Sequence, residues 1–257
     1  MYKTDQSTCG HSAKTCTCGR PVAVHAAGAW RVAARHCGQC LARLDEAADA
    51  ERLVADRVER RRIARLDDPR RAGWSIASYP TDAEAVRAGA AGRAWLADAH
   101  AAGRNLLITG PVGAGKTGLA WGLLGELVDA GQRGLFMNAR DLLAELRASY
   151  RDGARPALFE RAMKTATLVL DDLGAERPTA WAVEQIARLI DARYTALLPT
   201  IVTSNSGPDA LLRHLAVDDD VASGQRIVSR LCEDAIRIRL DSPDRRRDAQ
   251  RLRAVVG

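Results

Sequence analysis

A chain of 257 residues with 47% hydrophobic content has room for one α/β domain and a small appendage, and with only 4% aromatics its core must be built from Ala, Leu, Val and Ile. The net charge of +6 suits a partner that carries phosphates, or the charged helix faces of an ordinary soluble protein. No apolar run approaches the roughly 18 residues of a membrane span, and the opening MYKTDQSTCGH lacks the apolar core of a secretory signal, so a cytoplasmic protein with no membrane partner is expected.

Five of the six cysteines fall in the first 40 residues. Cys16 and Cys18 form one close pair and Cys37 and Cys40 another, each beside glycine. In a cytoplasmic chain this pattern indicates a structural zinc site rather than disulfides, because a segment this small needs a staple. The expected Zn²⁺ ligands are Cys16, Cys18, Cys37 and Cys40. Cys9, His11 or His36 could replace a member of the less usual C-x-C pair, and a redox-active or unliganded cluster is the competing reading. Residues 1–40 are thus expected to form a cysteine-rich module. LARLDEAADAERLVADRVERRRIARL, from Leu41 to Leu66, has no Gly or Pro and repeats apolar residues at helical spacing, which predicts an exposed linker helix within residues 41–69. Pro69 and Gly73 then break the chain, and residues 70–257 form the second domain.

From there short apolar strands alternate with helices. Strands are predicted at Leu106–Thr109, Leu135–Asn138, Thr167–Leu170, Thr200–Thr203 and Ile236–Leu240. Helices are predicted over 116–130, through DLLAELRASY, from Thr179 up to Pro199, and over 224–234. In the last strand Ile236, Ile238 and Leu240 alternate with arginine, so one face is expected inward and one outward. The fold class that follows is α/β, a parallel sheet with helices on both faces. Cys232 stands alone in an apolar helix and reads as a buried side chain.

Between the first strand and its helix runs GPVGAGKTG, in which Gly110, Gly115, Lys116 and Thr117 fit G-x-x-x-x-G-K-[ST]. The backbone of Gly110, Pro111, Val112, Gly113, Ala114, Gly115 and Gly118 can surround a phosphate with N–H groups, and the helix start adds partial positive charge. Lys116 reaches the β- and γ-phosphates, and the Thr117 hydroxyl can ligate Mg²⁺. TLVLDDLGAER supplies two carboxylates at a strand end, where ligands bind in open α/β sheets. Asp171 is expected to hold the Mg²⁺ and Asp172 to orient and polarise an attacking water. The cofactors implied are ATP or ADP, Mg²⁺ and Zn²⁺.

On GPVGAGKTGLA, LVLDDLGAE, IDARYTALLPTIVTSN and GQRIVSRL, the chain from about residue 70 to its end resembles the AAA+ ATPases of the bacterial and phage replicative helicase loaders (DnaC and DnaI type) and the related transposition helpers (IstB type). The resemblance implies a P-loop NTPase fold of the AAA+ class. The short tail after Leu240 leaves no room for the helical lid that most such ATPases carry, so the lid is expected to be reduced or absent. Most AAA+ proteins place Glu where this chain has Asp172. The shorter arm sets the carboxylate back and implies slow, oligomer-dependent hydrolysis of ATP to ADP and phosphate. By the same resemblance Asn205 is the first sensor beside the γ-phosphate, with Ser204 and Thr203 as neighbouring candidates. Arg230 is the finger that reaches a neighbouring subunit's ATP, with Arg226 as the alternative. Arg246 is the second sensor, with Arg245 as the alternative register. A finger acting in trans implies a homo-oligomer, a ring or a spiral.

In loaders a metal-stabilised N-terminal domain binds the replicative DNA helicase, and the ring grips single-stranded DNA without reading its sequence. Residues 1–40 take the first role in this picture. Arg140, Arg147, Arg151 and Tyr150 are candidates for the second, against the plain reading of a wet helix face. Trp74 and Tyr79 could pack near adenine or simply in the core. The transposition helpers usually lack the cysteines, so a helicase loader is the function expected. An ATPase assisting a transposase and an adaptor that binds ATP with little hydrolysis are the alternatives.

Overall fold

The computed structural model describes residues 24–27, 30–33, 38–217 and 220–245. These fall into two compact units, Met1–Asp56 and Arg57–Gly257. Cys9, His11, Cys16, Cys18, His36, Cys37 and Arg246 lie outside the described residues, so the zinc reading and the second-sensor reading of Arg246 rest on sequence.

The first unit holds a feature that the cysteine spacing did not foretell. Strands β1 (Val24–Ala27) and β2 (Trp30–Ala33) pair antiparallel, Val24 opposite Ala33 and Ala27 opposite Trp30. Helix α1 (Gly38–Ile63) begins in this unit, with Cys40 in its first turn, and ends in the second. It starts three residues earlier than apolar spacing suggested and stops where Arg65 takes a left-handed φ of 58°. Within the second unit its last turns are tied down: Arg61 donates through both Nε and Nη2 to the Asp129 carboxylate, each at 2.8 Å.

The second unit is a three-layer α/β/α domain. Its strands are β3 (Leu106–Thr109), β4 (Gly134–Asn138), β5 (Thr167–Asp171), β6 (Thr200–Ser204) and β7 (Ile236–Arg239). They form a five-stranded sheet in the order β4-β5-β6-β3-β7, and each paired neighbour is parallel. Side chains alternate across the pleat. Leu106, Ile108, Phe136, Val169, Ile201 and Ile238 face one core. That core is closed by α2 (Ala83–Ala94), the π-helical turn Trp95–Ala99 and α3 (Lys116–Asp129). Leu107, Leu135, Met137, Leu168, Leu170 and Val202 face the other. That side is covered by α4 (Ala139–Arg151), α5 (Ala157–Lys164), α6 (Ala180–Thr195), α7 (Pro208–Leu215) and α8 (Val221–Cys232). Because both faces are buried, the inner strands read as unbroken apolar runs. The edge strand β7 keeps the expected alternation: Ile238 is buried while Arg237 and Arg239 are exposed.

Three helices had no clear sequence signal. In α2, AEAVRAGAAGRA, the buried positions are Ala85, Ala88, Gly89 and Gly92, too small to mark an apolar stripe. Helices α5 and α7 have eight residues each, about two turns, which is short for a 3.6-residue period to emerge. Among the described residues no helix is long and apolar enough to cross a membrane.

Candidate functional site

The strand order creates the site. β6 lies between β3 and β5, so the residue after β6 falls between the loop that follows β3 and the carboxylates that end β5. The loop needs its glycines. Gly110 (φ 145°) and Gly115 (φ 102°) sit in backbone regions that side chains avoid. A Cβ on Gly110 would run into the Leu240 carbonyl, and one on Gly115 would meet the Tyr79 hydroxyl at 2.9 Å. α3 starts at Lys116, so its first-turn N–H groups lack intrahelical partners and border the loop.

Lys116 is buried, at 6% exposure. Its ammonium donates to the carbonyls of Gly110 (2.8 Å) and Pro111 (2.7 Å) and to Asn205 Oδ1 (2.8 Å). The Asn205 amide in turn donates to Asp172 Oδ1 at 3.0 Å. One side chain thus joins the loop lysine to the second carboxylate. Asp172 has a left-handed φ of 61°, which ends the strand after Asp171 and turns this carboxylate to Asn205. Its backbone N–H donates to Thr203 Oγ1 at 2.8 Å.

Asp171 is 4% exposed, and burial pushes its pKa up. Hydroxyls from Thr203 (2.7 Å) and Thr117 (2.9 Å) both donate to its Oδ1 and pull the other way. A buried carboxylate touching the hydroxyl at a helix start is a donor pair that fits Mg²⁺, which takes few protein ligands and keeps waters. Thr203 therefore bonds to both carboxylate residues. The Ser204 hydroxyl turns away and donates to the Leu173 carbonyl at 2.6 Å.

These groups border a cavity of about 820 Å³, within the range of a nucleotide-sized pocket. Its facing wall comes from the segment before α2. Trp74 is 40% exposed there, with its edge against Trp121. Tyr79 is buried over Gly115 and Gly118, its hydroxyl donates to the Gly115 carbonyl at 3.2 Å, and burial pushes that hydroxyl up to about 12. Arg245 braces the loop and also lines the cavity. Its backbone N–H donates to the Gly113 carbonyl (3.1 Å) and its Nε to the Ala114 carbonyl (3.1 Å), while its guanidinium pairs with Asp82 and Glu84 at the start of α2. Val112 lines the cavity and is 59% exposed.

Other expected residues lie elsewhere. Arg230 pairs with Asp191 on α6 and lies 5.3 Å from the Tyr194 ring centre, and Arg226 stands 3.9 Å from the same carboxylate. The Arg230 carbonyl accepts from Asn105 Nδ2 at 3.1 Å, immediately before β3. It is therefore at the opposite end of the sheet from the loop, about 15 Å away by strand rise. Arg140, Arg147, Arg151 and Tyr150 are exposed along α4, with Arg147 stacked over Trp181 at 4.4 Å. Cys232 is half-buried, and burial raises its thiol pKa. Among the cavity residues that the sequence did not single out are Arg71 and Asn138. Asn138 caps α4 by accepting from the Arg140 N–H at 3.0 Å, a role its place before a helix could have revealed.

A family model described as IstB-like ATP binding protein matches residues 79–252. The replicative helicase loader DnaI of Bacillus subtilis is 29% identical over 149 residues, 56% of this chain and 48% of DnaI. An insertion-sequence ATP-binding protein of Sinorhizobium fredii is 31% identical over 185 residues, 66% of this chain and 61% of that protein. The chain thus spans about half the length of the first relative and somewhat more of the second. The crystal structure of the DnaC helicase loader superposes with a TM-score of 0.59 at 28% identity, over 68% of this chain and all of that one. With the family model covering most of the chain, this protein belongs to the IstB-like ATP binding proteins.

Proposed function

We propose that this protein is an ATP-driven helicase loader, which binds the replicative DNA helicase and helps place it on single-stranded DNA. The observation that carries the nucleotide part is the linked set Lys116–Asn205–Asp172 beside Thr117–Asp171 in one cavity. In this reading the loop amides and Lys116 hold the β- and γ-phosphates, and Thr117 and Asp171 hold Mg²⁺, which supplies neutralising charge. Asp172, oriented by Asn205 and by Thr203, accepts the proton of the attacking water. Arg230 is assigned to a neighbouring copy's site, because it stands at the far end of the sheet from its own loop. Arg246 remains the proposed second sensor, with Arg245, which bonds the Ala114 carbonyl of the loop and lines the cavity, as the alternative register. Residues 1–40, with a Zn²⁺ site at Cys16, Cys18, Cys37 and Cys40, are proposed to bind the helicase, and the α4 arginines to follow DNA phosphates.

The similarity to DnaI and DnaC supports the loader, as does the cysteine-rich segment. The insertion-sequence relative, which aligns over more of this chain than DnaI does, supports a second reading, an ATPase that assists a transposase. Co-purification separates them. The loader reading expects the full chain to retain the host's replicative helicase in the presence of ATP and release phosphate on adding single-stranded DNA. Capture of a transposase without the helicase would favour the second reading. Tight ATP binding with no phosphate release under any of these conditions would leave an adaptor.

A further inference from the structure

The cavity is lined by a cation, Arg71, that the nucleotide reading does not use. Arg71 closes the turn Pro69–Arg71, in the segment ahead of the sheet. Its guanidinium carbon lies 5.4 Å from the ring centre of Trp74, 5.1 Å from that of Trp121 and 5.2 Å from that of Phe136. Those rings come from the loop that follows this turn, from α3 and from β4. Ring contacts of this kind offer no hydrogen-bond acceptor in the guanidinium plane, so they do not satisfy the N–H groups along its edge.

No hydrogen bond to those edge groups is present among the described residues. The Arg71 backbone N–H donates to the Asp68 carbonyl, and its Nε is 3.7 Å from the Asp68 carboxylate. That carboxylate is already bonded twice by Arg70, at 3.1 and 2.9 Å. Arg193 shows what a structural arginine looks like in this fold. It is 1% exposed, and its guanidinium donates to Thr200 Oγ1 and to the carbonyls of Ala162, Thr165 and Pro199. Arg71 instead keeps a quarter of its side chain exposed and lines the cavity together with Lys116, Thr117 and Asp171. Its charge is felt at Asp171, where it opposes the upward push of burial. Trp121 lies one helical turn after Thr117, so the ring that Arg71 contacts is on the same face of α3 as Thr117.

We propose that Arg71, held by the Trp74–Trp121–Phe136 box on the cavity wall, is a phosphate-binding residue of the nucleotide site, donating to an oxygen of the bound nucleotide's phosphate chain. This rests on the nucleotide reading above. Planar guanidinium suits such an oxygen better than an ammonium, because two parallel N–H groups can bond it or its neighbour. The same contact would tie the segment between α1 and the sheet to the state of the nucleotide.

Equilibrium binding of Mg-ATP and Mg-ADP to the full chain tests this, with Arg71→Met and Arg71→Lys beside the wild type. Methionine keeps apolar contact with the rings and removes the charge. It should weaken both nucleotides at least about tenfold, the scale of one charged hydrogen bond, and flatten the salt dependence of binding. Lysine should fall between the two. A wild type that binds neither nucleotide would defeat the nucleotide reading itself. A wild type that binds both, with Arg71→Met equal to it in affinity and salt dependence, would overturn only the role of Arg71. Should Arg71→Met not fold, as judged by circular dichroism, the wild type decides. Phenylglyoxal modification followed by peptide mapping should show Arg71 protected by Mg-ATP, and equal modification with and without nucleotide would overturn the proposal.

Discussion

Asp171 carries a conflict between stability and function. A carboxylate 4% exposed costs free energy when charged, and the Thr117 and Thr203 hydroxyls offset only part of that cost, since its pKa stays raised. A pKa above the unfolded value gives stability that is present below the unfolded pKa and lost as pH rises through the folded pKa. Asp171→Asn should therefore melt at or above the wild-type temperature near neutral pH without nucleotide, and the gap should close on acidification. The same variant should lose the extra stabilisation that Mg-ATP gives the wild type. A pH series of thermal melts, with and without Mg-ATP, reads both effects, and a variant less stable than wild type at neutral pH would contradict this account. At this scale the loop glycines, Lys116, Thr117 and the two carboxylates were legible, because phosphate and metal chemistry fix residue types at fixed spacings. Arg71 was not, because one arginine in PRRAGW looks like any other until Trp121 and Phe136 fold around it.

At the scale of elements, α6 is anchored by Arg193, whose hydrogen bonds join it to the end of α5 and the start of β6. Burial pulls its pKa down, and among the described residues no carboxylate is paired with it. Arg193→Met would leave buried acceptors unsatisfied and should cost roughly 3 kcal/mol or more, read as a fall in the denaturation midpoint. Because β6 carries Thr203 and leads into Asn205, nucleotide affinity should fall with it; an unchanged midpoint would show the carbonyls finding other partners. The same helix holds Asp191 and Tyr194, which engage Arg230. Long helices and inner strands were readable from periodicity, and their ends moved by only a few residues. Helices α2, α5 and α7 were hidden, by small buried residues in one case and by brevity in the others.

For the whole molecule, the placement of Arg230 matters most. Its backbone sits beside Asn105, ahead of β3, whereas the phosphate loop follows β3. A side chain cannot cross that length of strand, so a catalytic Arg230 has to serve another copy. Each single variant, Lys116→Ala or Arg230→Ala, should be nearly inactive as an ATPase. Mixing the two should recover part of the activity, because some interfaces then pair an intact loop with an intact arginine. No recovery at any mixing ratio would argue against a site shared between copies. Engagement across an interface would also require Arg230 to leave Asp191, so Asp191→Ala should raise phosphate release at low protein concentration, measured against wild type.

What the sequence settled by itself is the part of this protein governed by local rules: a glycine loop before a helix, carboxylates at a strand end, and apolar strands alternating with helices. What only the tertiary structure decided is the convergence of distant segments. The insertion of β6 between β3 and β5 brings Asn205 to both Lys116 and Asp172, the pairing of β7 with β3 brings Arg245 against the loop, and packing of three separate elements closes the box of rings on Arg71. The reason is physical. Spacing along the chain constrains only neighbours within a turn or a strand, whereas contacts between remote segments follow from the sheet order and from which faces are buried together.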